Sequence, residues 1–184
     1  MSNITKRAMA QSLKKMLLVK DIDKITITDI TNDCGINRQT FYYHFKDIYD
    51  LLDWIFANEV VEKIEKETTI ETWQENFKYV LEYMLKNKKF IIKTYNSLSR
   101  KTLLDFLFNQ YNTIFIEIVN DLSKNYNITK ENKIFIANFY KYGFVGIIEN
   151  WIVTEMKESP ESIINKLDVM ISGSFEEAVK KMST

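Results

Sequence analysis

Glycine and proline are scarce in this chain, with 4 Gly and 1 Pro among 184 residues. Tight turns and phosphate-cradling loops depend on glycine, so this scarcity argues against loop-rich β-sandwiches, Gly-rich phosphate sites and disordered composition. Hydrophobic residues make up 46% of the chain, enough for a substantial core at this length. The composition therefore predicts an all-α fold, in one domain or in one domain with a small appendage.

The charges balance overall but are unevenly placed. With 25 Lys+Arg and 25 Asp+Glu, the chain has no net charge that would steer it toward nucleic acid or an acidic membrane. Residues 1–50 nevertheless contain eight basic and six acidic residues, whereas residues 51–184 contain 17 basic and 19 acidic residues. The first 20 residues contain five basic residues and no acid. Two interpretations stay open for them: a basic helix beside a DNA-binding surface, or a solvated lysine face.

The chemistry needed for catalysis or metal binding is missing from the sequence. Cys34 and His44 are the only cysteine and histidine, which argues against a disulfide framework, a zinc site and a nucleophile–base pair. We expect no catalytic residue, no cofactor and no metal, and we interpret Cys34 as a structural thiol. No signal-peptide-like or membrane-spanning apolar run occurs. These features predict a cytoplasmic protein without a membrane partner.

A short helix is predicted over Ile27–Cys34. Thr26, followed three residues later by Asp29, is a variant of the capping box that satisfies the free amides at a helix start. Ile27 and Ile30 are expected to be buried, and Gly35 suits the left-handed conformation that ends a helix.

A second short helix is predicted to begin near Arg38, after a turn of only three residues. Its sequence RQTFYYHF places Phe41 and Phe45 four residues apart on the buried side. Two short helices joined by a tight glycine turn form a helix-turn-helix, whose second helix fits the major groove of DNA.

Polar side chains suited to DNA cover the other side of this second helix. An arginine can pair with guanine and a glutamine with adenine, and each such pair is worth about 1–3 kcal/mol of base discrimination. Hydroxyl and cationic groups at the helix ends suit phosphates. The predicted DNA-binding residues are Thr26, Thr28, Arg38, Gln39, Thr40, Tyr42, Tyr43, His44 and Lys46.

Longer amphipathic helices are predicted for the rest of the chain. Apolar residues recur at spacings of three to four, and Ser159 followed by Pro160 is a typical helix start. The predicted segments are 54–67, 72–89, 88–98, 101–126, 131–157 and 159–182.

The stretch ITITDITNDCGINRQTFYYHFKDIYDLLDWIF resembles the DNA-binding domain of the TetR/AcrR family of bacterial transcriptional regulators. Together with YKYGFVGIIENWIVTEMKESPE, it is similar to the subgroup that includes the activator of the dihydroxyacetone kinase operon. The resemblance covers nearly the full chain. It implies about nine helices, with a three-helix DNA-binding domain at 1–50 and a helical regulatory and dimerisation domain at 51–184.

The resemblance also implies roles for individual residues. Thr26, Thr40, Tyr42 and His44 would approach phosphates, and Arg38, Gln39 and Tyr43 would face bases. The chain departs from the family at Ile48, where many members have a phosphate-binding lysine. Whether Lys46 replaces that lysine stays open.

A regulator of this kind binds a palindromic operator as a homodimer, because one recognition helix covers only a half-site. The expected dimer surface is the last two predicted helices, residues 131–182, where Gly143 and Gly146 would admit a partner helix. The alternative is that both glycines serve packing within one subunit.

The resemblance implies a small-molecule effector bound among the middle helices, and the alternative is effector-independent control by a protein coactivator. The eight aromatic residues of that region could line a cavity or form core: Phe77, Tyr83, Phe90, Tyr95, Phe106, Phe108, Tyr111 and Phe115. Whether DNA binding represses or activates stays open as well.

Overall fold

The computed structural model describes residues 2–60, 69–97 and 99–183, and within these ranges the chain is all-helical. The predicted fold class is confirmed. No described helix is both long and apolar enough to cross a membrane. The ten α-helices of the described ranges are α1 (Ser2–Leu17), α2 (Ile27–Cys34), α3 (Arg38–His44), α4 (Ile48–Glu59), α5 (Trp73–Lys86), α6 (Lys88–Tyr95), α7 (Arg100–Leu122), α8 (Lys130–Val153), α9 (Pro160–Ile171) and α10 (Ser174–Lys181).

The described helices belong to two compact units. The first unit contains α1–α4, α6 and the start of α7 as far as Phe106. The second contains α5, α7 from Leu107 onward, and α8–α10. Most of α4 and all of α6 therefore share a compact unit with the predicted helix-turn-helix, although they lie beyond residue 50.

The first unit is built around α1, which packs against α2, α4 and α6. Met9, Leu13 and Leu17 are fully buried and recur every four residues, which is the spacing of one helix face. Ala8 of the same helix is exposed, and so is Val19, which follows it. A short 3-10 turn at Ile22–Lys24 leads from α1 to α2.

The second unit has an aromatic core. Phe144 of α8 lies 5.0 Å from the Phe77 ring of α5 and 4.8 Å from the Phe115 ring of α7, centroid to centroid. Tyr140 stacks on Phe175 of α10 with the ring centroids 3.5 Å apart. Three of the middle aromatic residues, Phe77, Tyr111 and Phe115, are thus core residues that join helices distant in sequence.

Helix ends follow local capping signals. Asp47 begins α4 at Ile48, six residues before the predicted segment, and the part of that segment at 61–67 lies outside the described residues. Ser159 caps α9 and Pro160 is its first residue, as predicted. The last predicted segment is divided into α9 and α10 at Gly173, whose φ of 74° is left-handed and favours glycine. This division raises the helix count to ten.

Candidate DNA-binding surface

The start of α2 is fixed by a reciprocal pair of hydrogen bonds. The Thr26 Oγ1 atom accepts from the Asp29 amide at 3.1 Å, and the Thr26 amide donates to Asp29 Oδ2 at 2.9 Å. The predicted capping box is therefore present. Hydrogen bonding of the Asp29 carboxyl to the Thr26 amide, and secondarily to the Thr26 side chain, holds the pKa of that carboxyl below its usual value. Gly35 ends the helix with φ 64°.

One detail of α2 differs from the prediction. Ile30 is fully buried, but Ile27 is only half-buried. Ile27 is the first residue of an eight-residue helix. The spacing of apolar residues predicts which face of a helix is buried, but it does not show that the first residue of that face is less covered.

The start of α3 is fixed by Asn37. Its Oδ1 atom accepts from the Thr40 amide at 2.7 Å and from the Thr40 hydroxyl at 2.9 Å. The Thr40 side chain is therefore held against the helix start and is half-buried. This cap was not predicted, although asparagine directly before the first helical residue is a strong N-cap signal.

Helix α3 divides into a buried side and an exposed side. Phe41 is fully buried and Phe45, directly after the helix, is 3% exposed, as predicted. Tyr42 is 50% and Tyr43 82% exposed, and Arg38 and Gln39 are exposed as well. We call Arg38, Gln39, Tyr42 and Tyr43 the α3 face. It offers a guanidinium, an amide and two phenols, and no residue of α3 is acidic.

Contacts between neighbouring side chains order the α3 face. The Arg38 Nη2 atom donates to the Tyr42 hydroxyl at 3.4 Å, and the guanidinium carbon lies 6.0 Å from the Tyr42 ring centroid. The Tyr42 ring meets the buried Phe41 ring edge-on at 5.9 Å. The half-buried His44 ring packs at 4.9 Å against the Tyr43 ring. Arg38 and Tyr43 thus each contact a neighbouring aromatic side chain.

The start of α4 carries negative charge. Asp47 Oδ1 accepts from the Asp50 amide at 2.8 Å, and Asp50 Oδ2 accepts from the Lys46 amide at 2.9 Å. Burial, together with Asp50 and Asp47, raises the pKa of nearby Asp53. The two carboxylates already bind the Lys46 and Asp50 amides, and their negative charge disfavours a phosphate at this helix start. With Ile48 in place of the family's lysine, this helix start is poorly suited to phosphate, and Lys46 has an exposed side chain beside it.

Most of the basic charge at the N-terminus is paired with acids inside the first unit. The Lys14 ammonium lies 2.6 Å from Glu59 of α4, and Lys15 lies 3.0 Å from Asp33 of α2. Lys20 lies 3.9 Å from Asp29. These ion pairs were not predicted by either interpretation of the basic residues, because the paired residues are distant in sequence.

The nine predicted DNA-binding residues all lie in the first unit. Thr26, Thr28 and Lys46 are exposed alongside the α3 face, and Thr40 and His44 are half-buried. Cys34 is half-buried and burial raises the pKa of its thiol, so it is protonated at neutral pH. No cluster of three or more potential metal-binding side chains occurs in the described part of the chain.

The second unit has an exposed apolar surface of a different kind. Phe135, Phe139 and Tyr142 of α8 are 63%, 69% and 62% exposed. With Ile147 of α8 and Met170 of α9, they border an open groove of about 820 Å³. We call these five residues the apolar groove. Other apolar residues of α8, such as Phe144, Ile148 and Trp151, are core instead.

The two glycines of α8 lie on its exposed side. A Cβ atom added to Gly143 or Gly146 would meet no other atom within 4 Å apart from the helix's own backbone. Packing within the subunit therefore does not require glycine at either position.

The interior of the second unit contains a cavity of about 10 Å³ beside Tyr111, Asn76 and Phe144. The Tyr111 side chain is buried, and none of the residues that the structure describes forms a hydrogen bond with its hydroxyl. Burial raises the pKa of this phenol well above its usual range. A space of this size is close to that of one water molecule.

Comparison with known proteins identifies the family. Residues 71–173 match the TetR-type family model described as "Transcriptional regulator C-terminal region", which covers more than half of the chain. The chain belongs to the TetR family of transcriptional regulators. The predicted DNA-binding regulator of TetR type is thus confirmed, with its helix-turn-helix in α2 and α3.

Relatives and solved structures agree with this assignment. The HTH-type dhaKLM operon transcriptional activator DhaS of Lactococcus lactis subsp. lactis (strain IL1403) is 26% identical over 170 residues, 90% of each chain. The solved structure of a dihydroxyacetone kinase operon activator DhaS matches with a TM-score of 0.71 and 24% identity, over 99% of both chains. NalD of Pseudomonas aeruginosa, the secondary repressor of the MexAB-OprM multidrug efflux pump, shares the fold with a TM-score of 0.59 and 12% identity, over 92% of this chain and 94% of NalD.

Proposed function

We propose that this regulator binds a palindromic operator as a homodimer, with the α3 face in the major groove. One observation carries the proposal: Arg38, Gln39, Tyr42 and Tyr43 are exposed together on a helix held by the Asn37 cap and the buried Phe41. Arg38, Gln39 and Tyr43 would contact bases, and the Tyr42 hydroxyl would approach a phosphate.

Phosphate contacts would surround this face. We assign them to Thr26, Thr28, Thr40, His44 and Lys46, which lie at the ends of α2 and α3. Thr40 would use its hydroxyl while keeping its amide bond to Asn37. In functional terms, residues 1–50 form the DNA-binding part, and residues 51–184 form the regulatory and dimerisation part. Such a protein acts in the cytoplasm, associated with the nucleoid, and it acts by binding rather than by catalysis.

The apolar groove of residues 131–182 is our proposed dimer surface, with a second copy of this chain as its occupant. Adjacent exposed aromatic residues of this size commonly mark protein interfaces. Gly143 and Gly146 support a partner helix rather than internal packing, because their exposed side lies open. In an isologous dimer the two recognition helices would lie about one DNA turn apart, roughly 34 Å.

Control of DNA binding has two candidates. A small-molecule effector among the middle helices would need a site of about 300–1,000 Å³, whereas the cavity beside Tyr111 measures about 10 Å³. The packed aromatic core therefore favours the second candidate, control by a protein coactivator. Thermal melting against a panel of metabolites separates the two, because only a bound effector raises the melting temperature.

A DNA-binding titration tests the central proposal. A labelled promoter fragment from the protein's own locus should bind, with an affinity that falls as salt rises. Arg38→Ala should weaken binding about 10- to 100-fold per half-site, from the loss of one bidentate base contact. Lys24→Ala removes an exposed cation that is paired with Asp21, and it serves as the matched control. Absence of binding, or an unchanged affinity in Arg38→Ala, would contradict the proposal.

A further inference from the structure

Lys6 differs from the other lysines near the N-terminus in what surrounds its ammonium group. Lys14, Lys15 and Lys20 each lie within 4.0 Å of a carboxylate. Among the described residues, no carboxylate pairs with Lys6. Within the part of the chain that the structure describes, no carboxylate therefore balances its positive charge.

Aromatic rings hold this ammonium group in place. The Lys6 Nζ atom lies 5.6 Å from the Phe45 ring centroid and 5.9 Å from the Trp54 ring centroid, and those rings meet edge-on at 6.0 Å. A cation over aromatic faces is attracted to them but keeps its hydrogen-bonding capacity, because a ring accepts no conventional hydrogen bond from it. Lys6 is thus positioned yet free to donate to an anion.

The location of the rings connects Lys6 to the DNA-binding helices. Phe45 directly follows His44, the last residue of α3, and Trp54 lies on α4. The neighbouring start of α4 is occupied by the carboxylates of Asp47 and Asp50, so this corner lacks a cation from α4 itself. Lys6 brings a positive charge from α1 to the same corner.

We propose that Lys6 contacts a backbone phosphate of the bound DNA and supplies from α1 the cation that α4 lacks at Ile48. The inference rests on the proposed DNA-binding function. Lys6 would fix the position of the duplex along α3 without distinguishing bases, as phosphate contacts do.

The salt dependence of DNA binding tests this role directly. Each phosphate contact contributes about 0.9 to the slope of log affinity against log salt, so Lys6→Gln should lower the slope of a dimer by about 1.8. Affinity at 0.1 M salt should fall at least about tenfold, and Lys6→Arg should restore the slope. Lys15→Gln, on the same helix but paired with Asp33, should leave the slope unchanged.

The possible results separate this inference from the function on which it rests. If wild-type protein and Lys6→Gln bind the promoter fragment with equal slopes, the Lys6 inference is overturned and the α3 face stands. A weaker affinity with an unchanged slope, accompanied by a lower melting temperature, would assign Lys6 a purely structural role and also overturn it. A wild-type protein that binds no DNA would overturn both proposals.

Discussion

The two units of this regulator differ in how they hold their exposed surfaces. In the first unit, short helices are fixed by side-chain hydrogen bonds at their starts, from Thr26, Asn37 and Asp47. In the second unit, longer helices are joined by aromatic packing around Phe144, and apolar side chains remain exposed.

The difference corresponds to two kinds of partner. Caps and ion pairs satisfy polar groups locally, so a small three-helix arrangement can present polar side chains with little core of its own. In the second unit, the exposed rings of Phe135, Phe139 and Tyr142 gain free energy only when another apolar surface covers them. The first surface suits DNA, and the second suits another copy of the chain.

The largest effect is expected at the apolar groove. Phe139→Glu would place a charge at a ring position that the proposed dimer would bury, and it should weaken dimerisation by at least about 2 kcal/mol, or about 30-fold. Analytical ultracentrifugation over a concentration series measures the dissociation constant.

A matched control is available in the same unit. Leu85 of α5 is also exposed but lies outside the groove, so Leu85→Glu should leave the dimer intact. Equal dissociation constants for wild type and Phe139→Glu would mean that the groove does not bind a second copy of the chain. The proposed role of the second unit's exposed surface would then be wrong.

An intermediate effect is expected at the cap of α2. Thr26→Ala removes a side-chain acceptor from a helix start and should cost about 1 kcal/mol, lowering the melting temperature by about 2–4 °C. Replacing Thr26 by serine keeps the acceptor and should preserve most of the stability. A melting temperature unchanged by alanine would show that caps do not hold the first unit.

The Asp29 carboxyl adds a dependence on pH to the same cap. The pKa of Asp29 is lowered in the folded protein, so the carboxylate stabilises the fold at pH values above its unfolded pKa near 3.8. This stabilisation is lost as pH falls through the lower folded pKa. Denaturant titrations of wild type and Asp29→Ala should therefore differ at neutral pH and converge in acid below the folded pKa. A difference that persists undiminished in acid would contradict the hydrogen-bond assignment.

The smallest effect is expected at Tyr111, which can be compared with Tyr140 of the same unit. The Ser174 hydroxyl lies 2.9 Å from the Ile171 carbonyl, so the Tyr140 hydroxyl donates to Ser174 at 2.9 Å. Tyr140→Phe should cost about 1 kcal/mol. Tyr111→Phe removes a buried hydroxyl that forms no hydrogen bond with the described residues, and it should leave the free energy of unfolding equal or slightly higher. A cost for Tyr111→Phe as large as that for Tyr140→Phe would indicate a bound water or ligand in the small cavity.

Local signals made much of the first unit predictable. The bounds of α2, the start of α3, the Thr26 capping box and the turn at Gly35 depend on neighbouring residues, and the structure agrees with each prediction. The polar composition of the α3 face was visible for the same reason. The roles of its individual residues stay predictions.

What escaped prediction depends on residues far apart in sequence. The ion pair of Lys14 with Glu59 spans 45 residues, and the contact of Lys6 with Trp54 spans 48. Helical periodicity marked Phe139, Phe144 and Trp151 alike as apolar, but only the packing of α8 shows that Phe139 is exposed while the other two are core. Sequence alone could not separate exposed apolar surface from interior.

The most direct test of the central claim is selection of bound sequences from a random pool of duplex DNA. Recognition by paired α3 faces should enrich an inverted repeat with half-site centres about one turn, or roughly 10 base pairs, apart. Arg38→Ala should relax the preference at one position in each half-site. An unenriched pool, or a single unrepeated motif that Arg38→Ala leaves unchanged, would contradict recognition by paired α3 faces.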